Sequence, residues 1–414
     1  LRRRVTFWLS CLGGPHLHHG FPLLNVTPPP AAACILVPDG STRSALAVTR
    51  SLGRAGHRVI VAAARAGSLA GSSRYAAATA IVPDPGRSPA EFAASVQRLV
   101  RDFAVEVVFP TTEEAILALL PIRDELGALL PIPETQRFLD VNDKDALLAG
   151  ARRLGIAVPA QVVIAARTDP PPAAVRLPAV VKPSRSVPLG TARPRKVAAA
   201  HVGTHVELID VLHETPAESF PLLVQQRVAG AGIGVFFLVW DGRVVARFAH
   251  RRLREKPPTG GVSVLSESVV APAELDAAAL RLLEPASWRG VAMVEFKVDD
   301  ATGTPFLMEI NARVWGSLQL AIDAGVDFPR LLVDCALGHP PAEPVVGRAG
   351  HRLRWWFGDL DHLIIRVKRE RGVRPRLAAF ATFLFGGRGA RNEVFRADDW
   401  RPALRETIDW IRGR

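Results

Sequence analysis

The strongest chemical signal is the run Met308-Glu309-Ile310-Asn311-Ala312-Arg313, preceded by Val294-Glu295-Phe296. Each glutamate interrupts an apolar strand pattern, and a turn over 299–304 joins the two runs. A hairpin of this kind brings Glu295 and Glu309 to one face, and period-two alternation carries Asn311 and Arg313 to the same face. Two carboxylates and an amide oxygen are hard ligands suited to Mg²⁺ bridging phosphate oxygens. A guanidinium beside them can hold a transferring phosphoryl group or the negative charge that develops there. A plain surface hairpin would not explain the apolar flanks at 293–294 and 306–308, where an unpaired carboxylate is costly without a cation.

Three further stretches carry charge or open backbone. Lys182 closes the apolar run 177–183, a buried strand that delivers one charge, and Lys144 opens an earlier helical segment. Nearly all the positive charge of the chain is arginine, so these two lysines suit a role as compact point charges for phosphate oxygens. Taken singly, each is an ordinary surface lysine. In Val224-Gln225-Gln226-Arg227-Val228-Ala229-Gly230 a strand ends in a glycine-rich bend whose backbone groups can meet an adenine edge. The basic strand end His250-Arg251-Arg252-Leu253-Arg254-Glu255 leads to Thr259-Gly260-Gly261-Val262-Ser263. That is either an anion cradle, with Arg251, Arg252, Gly260, Gly261 and Ser263 as substrate contacts, or a solvated strand and a hairpin loop.

These residues need a scaffold. An apolar strand at 35–38, a turn at 39–41, a helix over 44–53 and a strand at 58–63 form a βαβ unit and imply a parallel sheet. Helices over 89–103 and 113–130 and a strand at 105–110 extend it. Residues 34–130 therefore read as a doubly wound α/β domain. Its first turn, Pro38-Asp39-Gly40-Ser41-Thr42-Arg43, lacks the glycine spacing of a dinucleotide site, and no acid ends the second strand. Residues 131–340 change texture. A helix over 144–154 precedes strands at 179–182, 222–228, 235–240, 243–250, 292–298 and 306–310, with helices near 204–213 and 275–283, an α+β body rich in antiparallel pairing.

The chain has 414 residues, 48% hydrophobic, with a formal net charge of +12, which suits two or three globular domains and anionic partners. A GC-rich genome would load a chain with arginine in the same way. A nucleic-acid binder is a rival on charge, but no basic-aromatic motif or zinc module accompanies it. Cys11, Cys34 and Cys335 are too scattered for a metal set or a disulfide framework, which fits a reducing cytoplasm. Residues 1–33 carry Arg2–Arg4, an apolar stretch and Pro28–Pro30. They mimic a signal or lipoprotein site at Cys34, but Cys34 opens the first core strand, so a disordered or mis-annotated extension is expected. His16, His18 and His19 there read as a solvated cluster. No apolar run is long enough to span a bilayer. Residues 341–414 form a basic helical tail, whose apolar run 377–385 either packs on the body or lies on an anionic membrane.

In this order, the motifs resemble the ATP-grasp superfamily, most nearly the predicted carboligases similar to the carbamoyl-phosphate synthase large subunit. The likeness covers about 34–340 and is most specific from 290 to 329, in V-E-F-K and M-E-I-N-x-R-x-W-G-S. It implies an α/β domain without nucleotide followed by a two-lobed fold that clamps ATP. It implies that Lys144 and Lys182 contact phosphates and that Gln225, Gln226 and Val228 meet adenine. It also implies that Glu295, Glu309 and Asn311 hold Mg²⁺ (or Mn²⁺), and that Arg313 and Lys182 support phosphoryl transfer. The implied activity is a cytoplasmic carboxylate–amine ligase acting through an acyl phosphate on small molecules, with a homodimer as the assembly considered. A non-catalytic nucleotide binder is the alternative. Beside Ala312, which stands where proline is common, two features depart from the family. The segment 183–190 has one glycine where a glycine-rich flap is usual, with Arg185, Arg193 or Arg195 as substitutes, and 230–234 lacks the acid that often binds ribose.

Overall fold

The structure, a computed structural model, describes residues 32–170, 175–188, 197–284 and 287–413, which pack as one compact unit. The N-terminal histidine and signal-like features, Cys11, Arg193 and Arg195 lie outside the described residues. The first sheet holds β1 (Cys34–Val37), β2 (Arg58–Ala63), β3 (Ala78–Ile81) and β4 (Val107–Val108) in the parallel order β3-β2-β1-β4. β1 and most of β2 are buried, as an unbroken apolar run in a parallel sheet must be. Cys34 and Cys335 are both buried free thiols.

Helices α1 (Arg43–Arg54) and α2 (Pro89–Phe103) connect these strands, and α3 (Glu113–Leu119) follows β4. The expected helix over 113–130 is shorter, because Pro121 cannot continue the α-helical ladder and the chain passes into a 3₁₀ turn. Asp39 receives the backbone N–H groups of Thr111 and Thr112 at 2.9 and 2.6 Å, tying the end of β1 to the start of α3. Next come α4 (Thr135–Asn142) and α5 (Lys144–Arg153). Asp143 caps α5 by accepting from Ala146 N, which fixes Lys144 at the first helical position.

A small antiparallel sheet follows, of β5 (Gln161–Ile164), β6 (Ala179–Pro183), β7 (Ala200–Val202) and β8 (Leu222–Gln226), in the order β5-β8-β6-β7. Helix α6 (His205–Glu214) covers it, started by a capping box between Thr204 and Glu207.

The large sheet is built on β9 (Gly230–Trp240), β10 (Arg243–Lys256), β11 (Val262–Ser268), β12 (Gly290–Asp299) and β13 (Pro305–Asn311). β14 (Val345–Val346) lies beside β10, and β15 (Arg352–Arg354) and β16 (Arg391–Asn392) extend the far edge, giving β13-β12-β9-β10-β11-β15-β16. Its helices are α7 (Ala273–Leu283), α8 (Leu318–Asp323), α9 (Phe328–Ala336), α10 (Trp356–Arg369), α11 (Val373–Phe385) and α12 (Arg401–Ile411). Residues beyond 340 are thus more than a helical tail. They contribute strands to the sheet, and Arg50 of α1 is buried against them, held by the Asp399 carboxylate at 2.8 Å and by the carbonyls of Val394 and Asp399.

One register row matters most. His250, Gly234, Glu295 and Glu309 lie side by side across β10, β9, β12 and β13. Directly paired residues share a face, so one row places three polar side chains over a glycine. A Cβ at Gly234 would come within 3.1 Å of His250 Cδ2 and 2.6 Å of Phe236 Cζ, and one at Gly232 within 3.1 Å of Arg252 Cδ. The glycines on alternate positions of β9 leave the floor over which the β10 side chains cross towards β12.

Candidate functional site

The small sheet and the large sheet line a common cleft of about 440 Å³. Glu295 and Glu309 face each other across β12 and β13 in register, as the hairpin reading expected. Asn311 Nδ2 donates to Glu309 Oε1 at 3.0 Å, and Arg313 Nη2 donates to Asn311 Oδ1 at 3.0 Å. Lys144 and Lys182 approach from the other lobe. Lys144 Nζ is 3.9 Å from Glu309 Oε2 and donates to Ser186 Oγ at 2.8 Å. Lys182 Nζ donates to the Met308 carbonyl at 3.4 Å.

The two carboxylates titrate in opposite directions. Burial works against charge on Glu309, but Lys144, Lys182, the Asn311 hydrogen bond and Arg313 hold it down at about 2. Burial pushes Glu295 up, and Glu309 and Glu255 push the same way against Arg252. Burial lowers Lys182 to about 8, helped by Lys144 and opposed by Glu309 and Glu295. The cleft therefore holds one firm anion, one carboxylate that depends on Arg252, and one lysine whose charge is easily lost.

Arg252 is the clamp on that second carboxylate. Its Nη2 donates to Glu295, and its Nη1 donates to Glu255 Oε1 at 3.0 Å and to the Gly261 carbonyl at 3.1 Å. Burial alone would lower its pKa, but Glu295 and Glu255 raise it above the ordinary arginine value. His250, two residues earlier on the same face, is buried, and burial followed by Arg252 pushes it down to about 3. It is neutral at any physiological pH. Its Nδ1 lies 3.2 Å from Ser317 Oγ, while its Nε2 and the Nε1 of Trp315 are buried without a partner among the described residues. Both residues line the cleft. Trp315 Nε1 can only donate, and a buried donor left open beside a cleft suits an oxygen-bearing ligand, since otherwise its desolvation is uncompensated.

Do these residues fit a divalent cation? Among the described residues, no three His, Cys, Asp or Glu side chains gather as a metal set. The arrangement here is two acids and an amide, a donor set of hard oxygens that suits a cation keeping several waters and phosphate ligands. Each of the three is at present satisfied by a protein group: Glu295 by Arg252, Glu309 by Asn311 and the lysines, Asn311 by Arg313. A single cation would take the place of these hydrogen-bond donors on the three oxygen-bearing groups, so the donor set fits.

A family described as ATP-grasp in the biosynthetic pathway with Ter operon matches residues 218–357, which include β9 to β13. An L-amino acid ligase from Bacillus licheniformis superposes with TM-score 0.56 at 17% identity, over 73% of each chain. An ADP complex of N5-carboxyaminoimidazole ribonucleotide synthetase gives TM-score 0.60 at 12% identity, over 86% of this chain and 98% of the other. The chain has the ATP-grasp fold. The biotin carboxylase domain of Hydrogenobacter thermophilus 2-oxoglutarate carboxylase, solved with MgADP, ADP and bicarbonate, agrees at TM-score 0.60 and 14% identity, covering 77% of this chain and 73% of that one. No curated protein matches the sequence. None of these matches carries the narrower likeness to carboligases similar to the carbamoyl-phosphate synthase large subunit.

The ATP-grasp cleft is lined by Lys144, Lys182, Gln225, Gln226, Val228, Arg252, Gly260, Gly261, Ser263, Glu295, Glu309, Asn311 and Arg313 together. Arg251 is not among them. Alternation on β10 turns it outward, where it pairs with Glu267 at 3.0 Å. Gly260 and Gly261 have a conformational reason of their own: Gly260 has φ +134, and a Cβ on Gly261 would lie 2.3 Å from the Lys256 carbonyl oxygen. Arg185 does not reach into the cleft as a phosphate cover. It forms a two-pronged pair with Asp143 at 3.0 and 3.1 Å. The Gln226 N–H is already donated to the Ala160 carbonyl at 2.8 Å, and the Gln225 side chain donates to Gln161 at 2.7 Å. Sequence reasoning missed Arg43 and gave no role to Trp315 and Ser317 of the W-G-S motif, although all three line the cleft. Arg43 comes from the first domain, and its guanidinium would lie 3.2 Å from a Cβ on Gly316.

Proposed function

We propose that this chain is an ATP- and Mg²⁺-dependent ligase that converts a carboxylate into an acyl phosphate and passes the acyl group to an amine. The observation that carries the reading is the paired Glu295 and Glu309, with Asn311 and Arg313, facing Lys144 and Lys182 across one cleft. The names of its structural relatives, an amino acid ligase and a MgADP-bound carboxylase among them, support it.

On this reading Glu295, Glu309 and Asn311 hold the metal, which when bound would neutralise phosphate charge. Lys144 and Lys182 bind phosphate oxygens, and Val228 and the Gln226 carbonyl face the adenine. An oxygen of the substrate carboxylate attacks the γ-phosphorus, the bond to the β-phosphate oxygen breaks, and ADP leaves. Arg313 holds the oxygens of the transferring group. The amine nitrogen then attacks the acyl carbon, the carbon–oxygen bond to phosphate breaks, and the nitrogen sheds its proton. No side chain serves as nucleophile. Arg252, Gly260, Gly261 and Ser263 border the carboxylate.

A second cavity of about 560 Å³ adjoins the cleft, and Arg43, Glu113, Arg313 and Gly316 line both. Its walls include Glu114, Asp361, Glu406 and Asp409 beside Trp355, Phe357 and Trp410. Arg43, Lys256 and Arg313 stand among these acids, with Lys256 paired to Asp361 at 2.6 Å, so the cavity is of mixed charge and offers room for a second polar substrate.

The first test is calorimetric ATP titration with and without Mg²⁺, followed by a screen of amino acids and amines for ADP release. Mg²⁺-dependent binding without ADP release under any pair would leave the non-catalytic reading. Lys182 adds a pH signature. Its charged form is favoured by bound phosphate, so above pH 8 binding must draw in a proton. Affinity is expected to fall as pH rises above 8, approaching about tenfold per unit, with an enthalpy that depends on the buffer. A flat profile from pH 8 to 9.5 would remove Lys182 from the phosphate site.

A further inference from the structure

The helix α11 is apolar nearly all round, Val-Arg-Pro-Arg-Leu-Ala-Ala-Phe-Ala-Thr-Phe-Leu-Phe, yet only Ala379 and Phe383 are buried. A helix of that composition normally has cover on every side. Here Val373, Leu377, Phe380 and Leu384 are 73%, 60%, 46% and 61% exposed. They follow one another at intervals of four, three and four residues. At roughly 100° per residue they form one straight stripe. Phe385 is exposed beside it.

Between Glu370, which is paired with Arg366, and the buried Glu393, the charges along the chain have a single sign. Between 371 and 392 there is no aspartate or glutamate, while Arg371, Arg374, Arg376, Arg388 and Arg391 all fall there. By the same geometry Arg374 and Arg376 sit on the two rims of the stripe at its N-terminal end. Arg371, Arg374 and Arg388 make no ion pair among the described residues, and Arg376 donates only to the Glu370 carbonyl at 3.1 Å. The guanidinium of Arg388 lies 4.7 Å from the Phe385 ring centroid. On α10, which packs beside α11, Lys368 adds a further unpaired cation.

We infer that α11 is an in-plane anchor that lays its Val373–Leu377–Phe380–Leu384 stripe into the surface of an anionic lipid membrane. Apolar side chains framed by arginines match the boundary between acyl chains and acidic headgroups. The long arginine stems let the charges stay at headgroup level while the stripe sinks. At 13 residues the helix is too short to cross, and no helix among the described residues is long and apolar enough to do so. A second copy of the chain is the poorer cover. Antiparallel pairing of two stripes would set Arg374 and Arg376 of one copy against Arg388 and Arg391 of the other, and parallel pairing would set like against like. This inference is independent of the ligase proposal.

The test is co-sedimentation of the full chain with phosphatidylcholine vesicles containing 30% phosphatidylglycerol, beside pure phosphatidylcholine vesicles. Wild type is expected to partition at least tenfold more strongly onto the acidic vesicles and to lose most of that advantage in 0.5 M salt. Leu377→Glu/Leu384→Glu and Arg374→Glu/Arg376→Glu should each reduce binding at least tenfold with the thermal melt unchanged, because all four side chains are surface groups. Val270→Glu, at an 80% exposed apolar site elsewhere, should bind like wild type. Absence of binding to acidic vesicles overturns the inference. So does a concentration-dependent dimer in sedimentation velocity that Leu377→Glu/Leu384→Glu dissolves, which would assign the stripe to a second copy.

Discussion

A chain carrying Glu309→Ala and Asn311→Ala should bind ATP no more tightly with Mg²⁺ than without it, and any ADP release should fall about 10²- to 10³-fold. The reasoning rests on charge. In the free protein Glu309 stands between Lys144 and Lys182 and is held ionised by them at a pKa of about 2. Without a metal, that carboxylate repels a triphosphate and competes for the two lysines. Removing it should leave metal-free ATP binding unchanged or tighter while the benefit of Mg²⁺ disappears. Damage to the fold would weaken both, so the opposite movement of the two affinities separates a ligand role from a structural one. If Mg²⁺ still sharpens binding in the double variant, Glu309 and Asn311 are not its ligands.

The face that holds these groups was legible because it depends on local rules. Alternation along β13 places Glu309, Asn311 and Arg313 together, and one short turn pairs β13 with β12. Arg252 is different. It reaches Glu295 only because β9 lies between β10 and β12 and carries glycine at 232 and 234. Strand order in a sheet is a property of distant segments, and no period in the sequence encodes it. The Gly230-Ala231-Gly232-Ile233-Gly234 run was read as a glycine-rich bend and for the acid it lacks, whereas it opens β9 and its glycines at 232 and 234 clear the path for Arg252 and His250. The tail's contribution was hidden for a related reason: β14, β15 and β16 are two or three residues long, too short for alternation to register. β3 was missed because it turns only the small side chains of Ala78 and Ala80 towards the core, while Thr79 and Ile81 are exposed, as an edge strand allows. Arg43 was invisible because its place beside Gly316 depends on how the first sheet docks on the rest.

The second large effect concerns that clamp, and it is a coupling rather than a single loss. Arg252→Met should destabilise the fold by about 3 kcal/mol, because it leaves Glu295 buried without a cation; both side chains are nearly enclosed. Glu295→Gln should cost less, since Arg252 keeps Glu255 and the Gly261 carbonyl. In the double variant the penalties should not add, with a coupling of about 1–3 kcal/mol measured by urea unfolding of all four chains. The same cycle reports on the metal. If Glu295 is a ligand, a bound cation and Arg252 compete for one carboxylate. MgADP should then raise the melting temperature of Arg252→Met by more than it raises that of wild type, because the cation supplies the charge the variant lacks. In Glu295→Gln the gain should be smaller than in wild type. Equal gains in all four chains would mean that Glu295 serves only to anchor Arg252, and that the metal is held without it.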